Sequence, residues 1–377
     1  MAWPTVIIHI LNMMRGPIPG VECHFLFLVY GAVSGDTRHL MMIDNTTDLS
    51  DREFDSIDEH HVAMLKAAQL NGKQHWTAGV MVLDPADDWQ SAVLKANETS
   101  SFEATVLGFP ATDKTLFEEA IALRTALKSQ LGREVFMMCT TPGIDTDPID
   151  GQTWIEWLAA TVAIQQMVAS EYLTVIPQVH RNNSTVGIYA GRLANKEVSI
   201  ADSPARVKTG SVLGSTDLAV DNTGKSLDLA ILKTLESNRY AVPMWYPDYP
   251  GQYWTTGRTL DVPGGDYQDI RHIRVAMKAA RKVRVRGIAR IADREFNSTP
   301  GSEASAKLYF TQDLRDMAVV KKIGDYTFPG EIKPPQDDDI TIHWVNSEEV
   351  EILLAVTPYE CPVKITISIM LNTRRGE

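Results

Sequence analysis

The chain has 377 residues, enough for two or three domains with sizeable cores, and 44% of them are hydrophobic against 22% charged. Its 36 basic and 48 acidic residues give a net charge of −12, which argues against a general binder of nucleic acid or anionic membranes. Three separated cysteines, Cys23, Cys139 and Cys361, form no CxxC pair and suit a reducing cytoplasm. We expect no signal peptide and no membrane-spanning helix, because the apolar runs are far shorter than the ~20 residues that a span needs.

The first predicted element is a strand over residues 5–11, in which Val6, Ile8 and Ile10 share one face. Predicted strands and helices then alternate to about residue 194, which is typical of an α/β domain whose sheet is covered by helices. Strands are predicted over 23–33, 77–83, 104–108, 134–139, 173–179 and 185–190, and helices over 60–70, 89–96, 113–131 and 153–170.

The pattern weakens over 193–260, where a short helix is predicted at 227–236. Further helices are predicted at 266–283 and 311–317, and strands at 340–344, 350–356 and 364–371. In the last strand Ile365, Ile367 and Ile369 face one way. The sequence therefore predicts an α/β (α+β) fold with strands at both ends of the chain.

One segment resembles the end of a phosphate-binding P-loop, Thr223-Gly224-Lys225-Ser226. The full motif needs a glycine five residues before Gly224, and Ala219 stands there. A surface turn is the simpler interpretation.

Two acidic or histidine clusters are candidates for metal binding. His60 and His61 follow each other on a helix and so point about 100° apart, which disfavours chelation of one ion. Asp337, Asp338 and Asp339 lack the spaced ligands of a calcium loop, so a charged turn is the simpler interpretation. Cys139 lies in an apolar strand, as an inert buried thiol would. With no GxSxG, HExxH or GxGxxG motif, we expect no catalytic, cofactor or metal site.

The predicted helix at 266–283 opens a basic stretch that extends to Arg294 and is the strongest charge feature of the sequence. Its leading cations are Arg271, Arg274, Lys278, Arg281 and Lys282. Three interpretations remain open: an acidic protein partner, internal salt bridges, or nucleic acid, which is the least favoured because no exposed aromatics or recognisable module accompany the charge.

The region from about residue 173 to the end, together with the opening strand, resembles the tail sheath family of contractile phages, closest to the smaller Mu-like and P2-like sheath subunits. The resemblance is carried by YAGRLANKEVSIADSPARVKTGSVLG (189–214), by the WTTGRTL element (254–260), by the helix RHIRVAMKAARKVRV (271–285) and by the closing strands of 326–372. The order of these segments makes the case more than any one of them.

The resemblance implies an N-terminal strand arm (1–19), an outer α/β domain (20–192), an inner α+β sheath domain (193–357) and a C-terminal strand arm (358–377). It implies that subunits exchange these terminal strands by β-augmentation, through Val6, Ile8, Ile10, Ile365, Ile367 and Ile369. It also implies a tube-facing role for charged residues, which we assign to Arg271, Arg274, Lys278, Arg281 and Lys282.

The implied function is structural: a virion tail subunit, made in the host bacterial cytoplasm, that polymerises around a tube and contracts to drive it through the host envelope. The implied partners are further copies in a helical array of stacked hexameric rings, the tail tube protein, and baseplate and tail terminator proteins, with no membrane and no direct nucleic acid. The alternatives are another tail or baseplate structural protein and, less favoured, a cytosolic α/β enzyme.

Overall fold

The computed structural model describes residues 20–32 and 40–367. Its main sheet has six strands in the order β2-β3-β1-β4-β5-β6, all parallel except β2. The strands are β1 His24–Tyr30, β2 Leu40–Asp44, β3 Thr77–Leu83, β4 Ala104–Pro110, β5 Phe136–Thr141 and β6 Leu173–Pro177. Because both faces of this sheet are covered, its strands read as continuous apolar runs rather than alternating ones.

Helices lie on both faces of the main sheet. These are α1 Glu59–Gly72, α2 Trp89–Thr99, α3 Thr115–Leu131, α4 Trp154–Ile164 and α5 Thr185–Ala194. One hydrophobic core joins the sheet to α2, α3 and α4, and a second joins it to α1 and α5. Connecting each parallel strand through a helix produces this three-layer arrangement.

Local sequence signals explain several helix ends. Thr153 and Glu156 form a capping box at the start of α4, and the Asp88 carboxylate accepts the N–H groups of Gln90 and Ser91 at the start of α2. Gly132 ends α3 with a φ of 63°, a left-handed conformation that glycine adopts without strain. The predictions for α1, α2, α3 and the strands β1, β3, β4, β5 and β6 are confirmed, although α4 ends at Ile164, earlier than predicted.

The predicted strand over 185–190 is wrong, because these residues begin helix α5. All ten residues of α5 are buried, so no polar face marks the helical period. Gly187 and Gly191 lie one turn apart and face α1, where a Cβ would overlap the carbonyls of Met64 and Ala68. The two glycines therefore let the α1 and α5 backbones approach closely.

The rest of the chain forms α6 Leu229–Ser237, β7 Pro243–Tyr246, β8 Tyr249–Trp254, α7 Ile270–Ala289, α8 Pro300–Met317, β9 Lys321–Ile323, β10 Tyr326–Phe328, β11 Ile340–Trp344 and β12 Val350–Leu354. The strand pairs β7–β8, β9–β10 and β11–β12 are each antiparallel. The predictions of α6, α7, β11 and β12 are confirmed, and α8 starts at Pro300, well before the predicted residue 311. Within the described ranges no helix is long and apolar enough to cross a membrane.

The division at 192/193 stays a prediction. Residues beyond it contribute to both large cores: Leu235 and Leu260 to the first, Trp254 and Met277 to the second. Two smaller cores lie further on, where α7, α8 and the β11–β12 sheet pack together.

Candidate assembly interface

The β11–β12 sheet is a two-stranded hairpin with one covered face. Ile342 lies opposite Ile352, and both turn inward against Phe310 of α8, while Leu353 points outward and is 67% exposed. Among the described residues, neither outer edge of this sheet is paired with a third strand. Unpaired edges of this kind are templates for a strand from another chain.

The chain continues beyond β12 in an exposed, apolar segment. Val363, Ile365 and Ile367 are 66%, 73% and 78% exposed, and residues 364–367 form no strand here. The predicted strand over 364–371 is therefore absent from its described part, because a strand requires a partner with which to exchange hydrogen bonds. Ile369, like Val6, Ile8 and Ile10, lies outside the described residues.

The five cations that we assigned to a tube-facing patch all form ion pairs within the chain. The pairs are Arg271–Asp269 at 2.9 Å, Arg274–Glu103 at 2.7 Å, Lys278–Glu331 at 2.7 Å, Arg281–Glu22 at 2.9 Å and Lys282–Asp313 at 3.7 Å. Of the three interpretations of the basic stretch, internal salt bridges match this geometry. Contact of these residues with a tube stays a prediction.

Arg274 and Glu103 form the most buried of these pairs, with side chains 4% and 0% exposed. Arg274 donates from Nε and Nη2 to the two carboxylate oxygens at 2.7 and 2.8 Å, and the Cys23 N–H donates to Glu103 Oε2 at 2.5 Å. Burial lowers the pKa of Arg274, but the Glu103 charge and hydrogen bonds outweigh it and raise that pKa above its usual value. A side chain this enclosed cannot present its charge to a partner in this conformation.

Helix α7 also contacts two described segments near the ends of the chain. Arg281 pairs with Glu22, two residues after the first described residue, and Arg271 Nη1 donates to the Tyr359 carbonyl at 3.3 Å. Burial raises the pKa of Glu22, but the charges of Arg281 and Lys278 outweigh it and leave that pKa below its ordinary value. Sequence reasoning missed Glu22, Glu103 and Tyr359, since partners so distant in the chain leave no local pattern.

The segment that resembles a P-loop is a tight turn closed by its own aspartate. The Asp221 carboxylate accepts the N–H groups of Thr223 and Lys225, and the Gly224 N–H donates to the Asp221 carbonyl. A phosphate would need these same donors, so the interpretation as a surface turn fits the structure.

The candidate metal and thiol residues are also occupied or separated. His61 is buried, accepts the Tyr30 N–H at Nδ1 and donates from Nε2 to the Gly108 carbonyl, whereas His60 is exposed. Burial raises the pKa of the Cys139 thiol. Asp337, Asp338 and Asp339 form a short 3-10 turn before β11. Within residues 20–32 and 40–367, no three His, Cys, Asp or Glu side chains are grouped so as to hold a metal ion.

Comparison with solved structures shows the fold. One alignment covers 99% of this chain and 100% of a chain in the anti-feeding prophage helical sheath in its contracted state, with a TM-score of 0.59 and 12% identity. Another covers 99% of this chain and 98% of a chain in the PVC sheath complex of an extracellular contractile injection system, also in the contracted state, with a TM-score of 0.58 and 13% identity.

Comparison of sequences shows the family to which the chain belongs. Residues 3–258 match the family described as DUF2586, N-terminal domain, and residues 266–374 match DUF2586, C-terminal domain. The chain is 41% identical over 374 residues to the "Putative tail sheath protein" of Haemophilus phage HP1 (strain HP1c1), covering 98% of each. The chain therefore belongs to the DUF2586 family and to the contractile phage tail sheath proteins.

Proposed function

We propose that this subunit polymerises as a helical array around a tail tube and contracts to drive the tube through the host envelope. The observation that carries the proposal is the β11–β12 sheet, whose inner face packs on α8 while its two edges lack strands among the described residues. A two-stranded sheet is marginal alone and is stabilised when further strands extend it.

The missing strands come, in this proposal, from neighbouring copies. Residues 5–11 of one copy, through Val6, Ile8 and Ile10, pair with one edge, and residues 364–371 of another, through Ile365, Ile367 and Ile369, pair with the other. Backbone hydrogen bonds would supply the affinity, and burial of the apolar side chains would supply the register. Because each contact joins different surfaces of two copies, every copy keeps a free surface for the next one, and the contact can repeat into a helical array.

The partners beyond the sheath itself belong to the same proposal: a tail tube protein inside, with baseplate and terminator proteins at the ends of stacked hexameric rings in a virion tail. The subunit would be made in the bacterial cytoplasm and would need no catalytic site, because the energy of contraction is stored during assembly. Among the cations of α7, Arg271, Lys278, Arg281 and Lys282 remain candidates for tube contact, and Arg274 is disfavoured by its burial.

Electron microscopy of the purified chain tests this proposal. We expect the full-length protein, concentrated alone, to form hollow cylinders or stacked rings wide enough to enclose a tube. Deletion of residues 1–15 or 362–377 should leave a soluble, folded subunit that forms no long tubes, whereas deletion of 373–377 alone serves as the matched control. Normal tubes from either long deletion would refute strand exchange, and only small closed oligomers from the full chain would favour a baseplate role.

A further inference from the structure

The main sheet has an acidic end. The loops that follow the parallel strands lie together at the carboxyl end of these strands, and these loops are rich in exposed carboxylates. Asp84 follows β3, Asp113 follows β4, and Asp145, Asp147 and Asp150 follow β5. Asp58 and Glu59 lie at the same end of the sheet, beside the Gly31–Ile57 bridge that follows β1.

The opposite end of the same sheet is basic. The segments that precede β1, β4 and β5 line a groove of about 580 Å³ together with α7 and α8. We call this the basic groove, because seven of its described lining residues are basic and four are acidic. Val21, Phe102 and Val285 add apolar surface to it.

Two arginines of the basic groove, Arg133 and Arg284, form no ion pair with any residue that the structure describes. Arg133 donates to the Asn97 carbonyl and to the Ser101 hydroxyl. The exposed Arg284 guanidinium lies over Gly132, where a Cβ would overlap it. Burial and the Arg284 charge together lower the pKa of Arg133, so an anion beside both arginines would relieve an existing repulsion.

A turn at the acidic end has the complementary charge. The Asp147 carboxylate accepts the N–H groups of Ile149 and Asp150 at 2.8 and 3.1 Å, which fixes residues 145–150 as an acidic turn. Ile149 is 87% exposed at its tip, and the Asp150 carboxylate forms no hydrogen bond or ion pair with described residues. The tip of the turn therefore offers one apolar side chain that is flanked in sequence by the carboxylates of Asp147 and Asp150.

The acidic turn and the basic groove cannot meet within one chain. Strand β5 separates them, since Gly132 to Glu134 precede it and residues 145–150 follow it. Its six residues span roughly 20 Å. Residues 1–19, which join the groove at Gly20, carry Arg15 as their sole charged side chain and so would not neutralise it. The complementary charge is therefore available from a second copy.

We propose that the acidic turn of one copy seats in the basic groove of the next, with Ile149 against Val285 and Asp150 beside Arg284. The contact joins the two ends of the main sheet head to tail, so it propagates along a polymer as strand exchange does. The inference rests on the proposed self-assembly and assigns it a second, electrostatic interface that is separate from the terminal strands. Lys278, Arg281 and Lys282 line the same groove, so in this inference they face a neighbouring copy rather than the tube.

A charge swap tests the contact. Arg284→Glu and Asp150→Arg should each raise the concentration needed for assembly by about tenfold or more, because like charges then face each other. Combining Arg284→Glu with Asp150→Arg in one chain should restore assembly to within about threefold of the native chain, since the pair is re-formed with its signs exchanged. Lys233→Glu, on the exposed side of α6, is the matched control and should change little. Single defects that the double variant does not repair would overturn the proposal.

Crosslinking separates this inference from the self-assembly proposal. In a Cys361→Ser background, copies carrying Ile149→Cys and copies carrying Val285→Cys are mixed and oxidised, both as polymer and as concentrated soluble protein. We expect a disulfide-linked pair only when both variants are present, and none when Ile149→Cys is mixed with Leu308→Cys, an exposed site on α8. A pair in soluble protein would support the contact even if no tubes form. Absence of the pair in both samples overturns it, whatever electron microscopy shows.

Discussion

The main sheet and the β11–β12 sheet bury their strands to different degrees, and the difference shows which region one chain completes alone. In β1, Phe25 to Val29 are all fully buried, because helices cover both faces. In β12, half-buried residues alternate with exposed ones, and α8 covers a single face. Both faces of the main sheet are thus covered within one subunit, whereas the C-terminal sheet has a face as well as its edges left for other chains.

The largest loss of stability on substitution is expected inside the main sheet. Phe136→Ala removes a fully buried ring that packs edge-to-face on Phe25, with centroids 5.7 Å apart. We expect it to lower the free energy of unfolding by about 3–5 kcal/mol through lost transfer energy and a cavity. Leu353→Ala, on the outer face of β12, should change it by less than about 0.5 kcal/mol. Urea denaturation of the unassembled subunit measures both, and equal losses would contradict the comparison.

The next effect concerns the ion pair that attaches α7 to the main sheet. Glu103→Gln leaves Arg274 charged and enclosed without its carboxylate, so we expect a loss of about 3 kcal/mol, at the low end for a broken buried pair because the amide still accepts a hydrogen bond. Glu197→Gln, which breaks the more exposed pair with Lys73, should cost about 0–1 kcal/mol. A loss from Glu103→Gln no larger than that of the control would show that α7 is not anchored through this pair.

A third effect is the pH dependence of the main sheet. Burial lowers the pKa of His24, at the start of β1, to about 4, from 6.5 in the unfolded chain. Between these values the unfolded chain binds the extra proton, so stability falls as the pH falls. From pH 7 to pH 5 we expect His24 to account for a loss of about 2 kcal/mol. Denaturation of His24→Asn at pH 7 and pH 5 should show a smaller loss of stability, and His343→Asn, at an exposed position of β11, is the control. If stability fell with pH as steeply in His24→Asn as in the native chain, this account would be refuted.

The difference between the two regions also explains what the sequence could predict. The bounds of β3 and β11 are predicted to the residue, because a β-branched apolar run ending at Asp84-Pro85 and an alternating run after Asp339 are strong local signals. Helix α5 is mispredicted, because its complete burial removes the polar face that distinguishes a helix from a strand. The partners of Arg274 and Arg281 are 171 and 259 residues away, so no spacing rule could pair them. Among the described residues, no strand pairs with residues 364–367 of the predicted C-terminal strand, and we propose that its partner belongs to another copy.

The smallest effect in the isolated subunit should become larger on assembly. Ile352 is only half-buried on the inner face of β12, so Ile352→Ala should cost about 1 kcal/mol in the unassembled chain, against about 2–5 kcal/mol for a fully buried isoleucine. Strands added to the edges would enclose Ile352, and the same change should then raise the concentration needed for tubes by more than tenfold. Ile43→Ala, in the second core, is the control with the reverse pattern: a larger loss in the subunit and little further effect on assembly. If Ile352→Ala cost as much as Ile43→Ala in the subunit and nothing more in the tube, the β11–β12 sheet would already be complete in one chain and would offer no place for an exchanged strand.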